Sequence, residues 1–110
     1  MTHDLKVGPA KYSRGGSIQF AYYGNGETAI TIIRNGERES VATVNLEDYG
    51  VAAPEGHVWL KGWSENEGIP EALAEAGIVT LTGKTVPAGY ATAELGKLTE
   101  KAITAREIAA

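Results

Sequence analysis

The stretch that decides the fold is Ser17–Leu46, SIQFAYYGNGETAITIIRNGERESVATVNL. Ile18, Phe20 and Tyr22 alternate with Ser17, Gln19 and Ala21, the two-residue period of a half-buried strand. Gly24-Asn25-Gly26 follows and supplies residues that tolerate positive φ, which a tight reversal needs. Thr28–Arg34 is rich in β-branched residues, whose stiff χ1 suits a pleated strand, with Ile30 and Ile32 on one face. Asn35-Gly36 is the signature of a type I′ hairpin. The return strand is expected over 39–46, with Ala42, Val44 and Leu46 on one side and Val41, Thr43 and Asn45 on the other. The segment therefore predicts an antiparallel β-meander.

Working outward, residues 1–16 read as a leader or edge strand. Leu5, Val7 and Tyr12 suit a strand, whereas Pro9 interrupts it and Arg14-Gly15-Gly16 reads as a turn. Downstream, Glu47–Gly56 is a polar surface loop, and Val58–Trp63 reads as a further strand. Ser64 and Glu67 have the spacing of a capping box, and Pro70 suits a first helical turn. A short helix thus starts at either Ser64 or Pro70, buries Ile69, Leu73 and Ala76, and stops at Gly77. Ile78–Leu81 reads as a strand, Thr82-Gly83-Lys84 as a turn, Thr85-Val86 as the start of a return and Tyr90–Leu95 as the last strand. From Lys97 onward, Leu98, Ala102, Ala105 and Ala109 recur at helical intervals, predicting a C-terminal helix over 97–110. The fold class expected is α+β: one domain over 1–110, with an antiparallel sheet packed on one short helix and a C-terminal helical extension.

Composition narrows the function classes. The chain of 110 residues has no cysteine, which excludes a disulfide framework, a thiolate nucleophile and cysteine-based zinc sites. No apolar run reaches the ~20 residues of a membrane span, and the first residues lack a signal-peptide core, so no membrane and a cytoplasmic setting are expected. Fourteen acidic residues oppose ten basic ones, and the basic residues are scattered along the sequence. Direct nucleic-acid binding is therefore not expected, since phosphate contacts need clustered cations. A partner with a basic surface suits the formal net charge of −4.

The run Val58-Trp59-Leu60-Lys61-Gly62-Trp63-Ser64-Glu65-Asn66-Glu67-Gly68 carries a resemblance. It continues through Glu71-Ala72-Leu73, Ala76-Gly77-Ile78-Val79, Thr82-Gly83-Lys84-Thr85-Val86 and Gly89-Tyr90, with Ala42-Thr43-Val44-Asn45-Leu46 upstream. Over roughly residues 17–98 this ordered series resembles a family of small proteins of unassigned activity from phages, plasmids and other mobile elements of bacteria. The resemblance implies a compact α+β domain, a mobile-element setting and hence a host cytoplasm. It supplies no catalytic residues. Pro70 stands where the family more often has a large apolar residue, and the tail beyond Leu98 is an extension.

The constellations that could carry chemistry are few. Glu65, Glu67, Glu71 and Glu75 are the densest acidic run; in a continuous helix, positions 67, 71 and 75 share one ridge. Such a ridge is either a solvated face or a contact for a basic partner. Glycosidase-type use of paired carboxylates requires a cleft between them. Trp59 and Trp63 share one strand face, with Leu60 on the other; both indoles cover the core, or one is an exposed anchor for a partner. His57 has no nucleophile elbow near it, Ser64 is explained as a cap, and His3 lies far away, so neither a triad nor a metal site is expected. Gly15-Gly16 and Gly24-x-Gly26 lack phosphate-loop spacing and are turns. No cofactor is expected. The leading expectation is a non-enzymatic protein-binding protein of a mobile element, an inhibitor of a host (defence) protein, with Glu67, Glu71, Glu75, Trp59 and Trp63 as its contact residues. The alternatives are a homo-oligomeric accessory module and a small enzyme whose site is not visible in the sequence.

Overall fold

The computed structural model describes residues 5–109, and the meander forms around the two turns that the sequence marks. β2 (Gly16–Tyr22), β3 (Thr28–Arg34) and β4 (Glu37–Val41) are antiparallel neighbours, and β1 (Lys6–Val7) pairs with the outer edge of β2. Asn35 (φ 54°) and Gly36 (φ 79°) are both left-handed, as a two-residue type I′ reversal demands. β1 ends before Gly8-Pro9, so the leader contributes an edge strand of two residues and Tyr12 takes no part in it. Residues 1–4, and with them the expectation for His3, lie outside the described residues, as do Ala110 and the side chain of Ala109.

The return strand is shorter than expected. It ends at Val41 rather than Leu46, because Ala42–Val44 turns away to join a second sheet. Ala42 N–H donates to Ile30 (2.8 Å), while Lys61 N–H donates to Ala42 and Val44 N–H to Trp59 (2.8 and 3.0 Å). This segment therefore pairs with β3 on one side and with β5 (His57–Leu60) on the other. Its side chains divide accordingly: Ala42 enters one apolar cluster, whereas Val44 and Leu46 enter another.

The second sheet runs β5-β7-β6, with β6 over Val79–Ala88 and β7 over Ala91–Leu98. Thr82-Gly83-Lys84 does not reverse the chain. It bulges out of one long β6, where pairing jumps from Leu81 to Thr85, and the reversal comes at Gly89-Tyr90. Pro87 is tolerated because β6 is an edge strand. Strand alternation divides the sheet: Val58, Leu60, Val79 and Leu98 face the main core with Ile30, Ile32 and Leu73, while Trp59, Ala93 and Leu95 face Leu46 under the 44–56 loop.

The short helix α1 is Ile69–Glu75. The capping box does not form, because Ser64 is itself left-handed (φ 55°) in a 3-10 turn, and Glu67 N–H donates to the Ser64 carbonyl rather than to its hydroxyl. Gly68 (φ 85°) redirects the chain, and Pro70 sits in the first turn, where its missing N–H costs nothing. Ile69 and Leu73 are fully buried, and Gly77 (φ 75°) ends the helix. The C-terminal helix α2 (Glu100–Ala109) starts three residues later than the Lys97 expected, because Leu98 still belongs to β7. Thr99 caps it: its Oγ1 accepts from Ala102 N–H and donates to the Gly77 carbonyl. Lys101 Nζ donates to the Ala76 carbonyl at the end of α1, so the two helices are pinned end to end (2.9 Å).

Candidate functional site

The sequence-selected carboxylates fall in different places. Because α1 begins at Ile69, Glu67 is not on the helix and the three-glutamate ridge does not exist. Glu67 is ion-paired with Lys11 of the leader (2.8 Å), and the hydrogen bond to its carboxylate, then its charge, holds the Lys11 ammonium above its ordinary pKa. Glu65 pairs with Lys61 (3.2 Å); a bond from its own backbone N–H, then Lys61, keeps its carboxyl below the usual range. Glu71 and Glu75 remain on the exposed side of α1. Neither has a cation partner among the described residues. Glu71 instead faces Glu94 of β7: burial, with the Glu71 carboxylate adding to it, pushes the Glu94 carboxyl above its ordinary pKa.

The two tryptophans have different environments. Trp59 is 3% exposed, packed with Leu46, Ala93 and Leu95, and its Nε1–H has no hydrogen-bond partner. Trp63 packs against the same cluster but is only half-buried, with the Lys61 ammonium 5.9 Å from its ring centroid. Trp63 follows Gly62, which lies so close to Pro70 that a Cβ there would come within 3.0 Å of the proline ring. A partner at this surface meets Trp63, not Trp59.

A wider concavity lies elsewhere among the described residues, and sequence reading missed it. A cleft of about 690 Å³ opens between the β2–β3 turn and the 47–57 loop, with His57 and Arg106 in its wall. Arg106 was hidden in a helical extension, where nothing local marks it as convergent with Glu27. Its guanidinium donates to Thr28 Oγ1 (3.0 Å) and to Glu107 (2.8 Å), and lies over Tyr22 at 5.8 Å. It ties α2 to the start of β3. Glu27 accepts from Ala53 N–H (3.1 Å) and so fixes the loop. His57 Nδ1 bonds the Glu55 carbonyl (2.9 Å); a carbonyl only accepts, so Nδ1 carries the proton of this bond. Ser64 does not line this cleft, and the cleft's Thr28 hydroxyl is already engaged by Arg106. The polar groups here hold the loop and helix in place, and no nucleophile–base pair is assembled. Among the described residues no group of three or more His, Asp or Glu side chains gathers around a metal-sized site, and no helix is long and apolar enough to cross a membrane.

No family model matches the chain, and no curated protein or solved structure matches it either, so the mobile-element resemblance rests on its sequence motifs alone.

Proposed function

We propose that this chain is a non-enzymatic protein-binding protein of a phage or mobile element, acting on a host protein that presents a basic surface. The observation that supports this reading is a set of carboxylates on α1 and β7 that no cation of the chain compensates among the described residues. Glu71 and Glu75 on α1 and Glu94 on β7 lack cation partners among the described residues, while nearby Glu65 and Glu67 are neutralised within the chain. Like charges held together without a counterion are a standing cost, and a cationic partner relieves it. Trp63, half-buried at the start of the segment leading into α1, offers a partner an aromatic contact. Inhibition of a host defence protein is the form of this activity that the mobile-element resemblance favours.

The test uses the full chain as bait in lysate of the host, followed by affinity measurements on the purified partner. Glu71→Lys/Glu75→Lys is expected to weaken binding tenfold or more with an unchanged melting temperature, and wild-type affinity is expected to fall as salt rises. Failure to capture any partner, or a captured partner that binds wild type and variant equally at all salt concentrations, overturns the reading.

A further inference from the structure

Three of the ten basic residues that look scattered in the sequence border one hollow in the fold. Three of the chain's four arginines, Arg14, Arg34 and Arg38, line one hollow of about 330 Å³ beside the Asn35-Gly36 turn. Two features of the chain bring them there. The type I′ reversal pairs Arg34 with Glu37 and Ile33 with Arg38, so Arg34 and Arg38 flank a single turn. Arg14 comes from the leader, 20 residues upstream of Arg34 in sequence, through Gly15-Gly16. A Cβ on Gly16 would collide with the Ile33 carbonyl, and one on Gly15 would lie 2.7 Å from the Gly8 carbonyl carbon. Only glycine lets the leader run this close to the end of β3, and that approach delivers Arg14 to the hollow.

We propose that this hollow binds a compact phosphate-class oxyanion. The guanidinium is planar and presents paired N–H donors that match two oxygens of a phosphoryl group, which an ammonium cannot do. The chain has more lysines than arginines, yet the hollow is lined by arginines and no lysine. None of the three forms an ion pair among the described residues, although Glu37 and Glu39 line the same hollow. Their donors are therefore available, and Arg34 is half-buried, which strengthens its field relative to a fully solvated cation. The two carboxylates offset part of the charge. An extended polyanion needs several phosphate contacts and would meet a chain of net charge −4 beyond the hollow's three arginines, so a single small anion is the occupant that fits.

The experiment is a titration of the full-length, isotope-labelled protein followed by amide and Arg Nε–H shifts, in a buffer free of phosphate and sulfate. Inorganic pyrophosphate is one arm and a nucleoside monophosphate the other. The expected result is saturable shifts centred on Arg14, Arg34, Asn35, Gly36 and Arg38, weakened tenfold or more in Arg34→Ala/Arg38→Ala. Arg34→Lys/Arg38→Lys, which keeps the charge and loses the fork, is expected to weaken binding as well. Lys97→Ala, an exposed cation on β7, is expected to bind as wild type does. Equal affinity in the two arms assigns the site to the free anion, and tighter nucleoside binding assigns it to a phosphate carried on a nucleoside. Absence of saturable shifts, shifts centred elsewhere, or equal binding by the alanine double variant with an unchanged melting temperature overturns the proposal.

Discussion

Thr43→Val tests whether the join between the two sheets is held by a hydroxyl rather than by shape. Thr43 is 4% exposed, accepts the Ile30 N–H at 3.1 Å, and shares a hydrogen bond of 2.9 Å with the Tyr23 hydroxyl. Valine has the same branching and the same strand preference, so the substitution isolates the oxygen. Without it, the Ile30 N–H is left unsatisfied next to a fully buried side chain, at a cost of about 1–3 kcal/mol. Tyr23 is half-buried and regains water, so it adds little. For a chain of this size the loss corresponds to a fall of roughly 5–15 °C in melting temperature. Thr43→Ser keeps the oxygen and removes one buried methyl, at about 0.5–1.5 kcal/mol. Urea unfolding followed by circular dichroism is expected to rank wild type above Thr43→Ser and Thr43→Ser above Thr43→Val, with similar m-values. A valine variant as stable as wild type, or more stable than the serine variant, would refute the reasoning.

Two further substitutions test the packing and the charge on α1. Leu73→Ala removes a fully buried side chain from the face of α1 that meets the main core, and is expected to cost about 2–5 kcal/mol, read from the urea midpoint. Glu94→Gln tests the raised carboxyl. A group whose folded pKa lies above its unfolded value favours folding when protonated and loses that contribution as pH rises through the folded pKa. The glutamine variant is therefore expected to melt higher than wild type near neutral pH, with the advantage vanishing below about pH 4, where both states hold the proton. A variant that melts at the wild-type temperature across the whole range would mean that Glu94 is not under strain from its burial and from Glu71.

The α+β class and most element types were legible because their signals are local. Asn35-Gly36 fixes its own reversal through backbone preference, and Ile30 and Ile32 declare their face by alternation. The failures share one cause: at each, a contact distant in sequence decided the outcome. Ala42–Val44 carries a strand pattern, but its hydrogen bonds go to Ile30 on one side and to Trp59 and Lys61 on the other. Ser64 has the capping spacing, yet the chain before it ends β5 and the buried Asn66 is anchored to the Val41 carbonyl at 2.7 Å, which holds the segment in a 3-10 turn. Thr82-Gly83-Lys84 has turn composition, but Thr82 Oγ1 donates to the Leu95 carbonyl and keeps the chain on the sheet as a bulge. The candidate sites were less legible than the fold for the same reason. The glutamates near residue 70 are close in sequence and so stand out as a group, whereas Arg14, Arg34 and Arg38 are brought to one hollow by a glycine pair and a hairpin.

The two proposed surfaces reside on different elements and carry opposite charge, and this makes them separable by competition. Raising salt screens both, so salt dependence alone cannot assign a partner to either one. Pyrophosphate at constant ionic strength competes only for a site that binds the anion, and the hollow lined by Arg14, Arg34 and Arg38 is the one proposed to do so. A partner held by Glu71, Glu75 and Trp63 is therefore expected to remain bound when the anion is added. A partner released by pyrophosphate, and released equally from Glu71→Lys/Glu75→Lys, would be reading the arginine hollow and would present an acidic or phosphorylated surface. The formal net charge of −4 does not describe this arrangement: what a partner meets is a local field, and Glu71 and Glu75 lie on α1 whereas Arg14, Arg34 and Arg38 line the hollow by the Asn35-Gly36 turn.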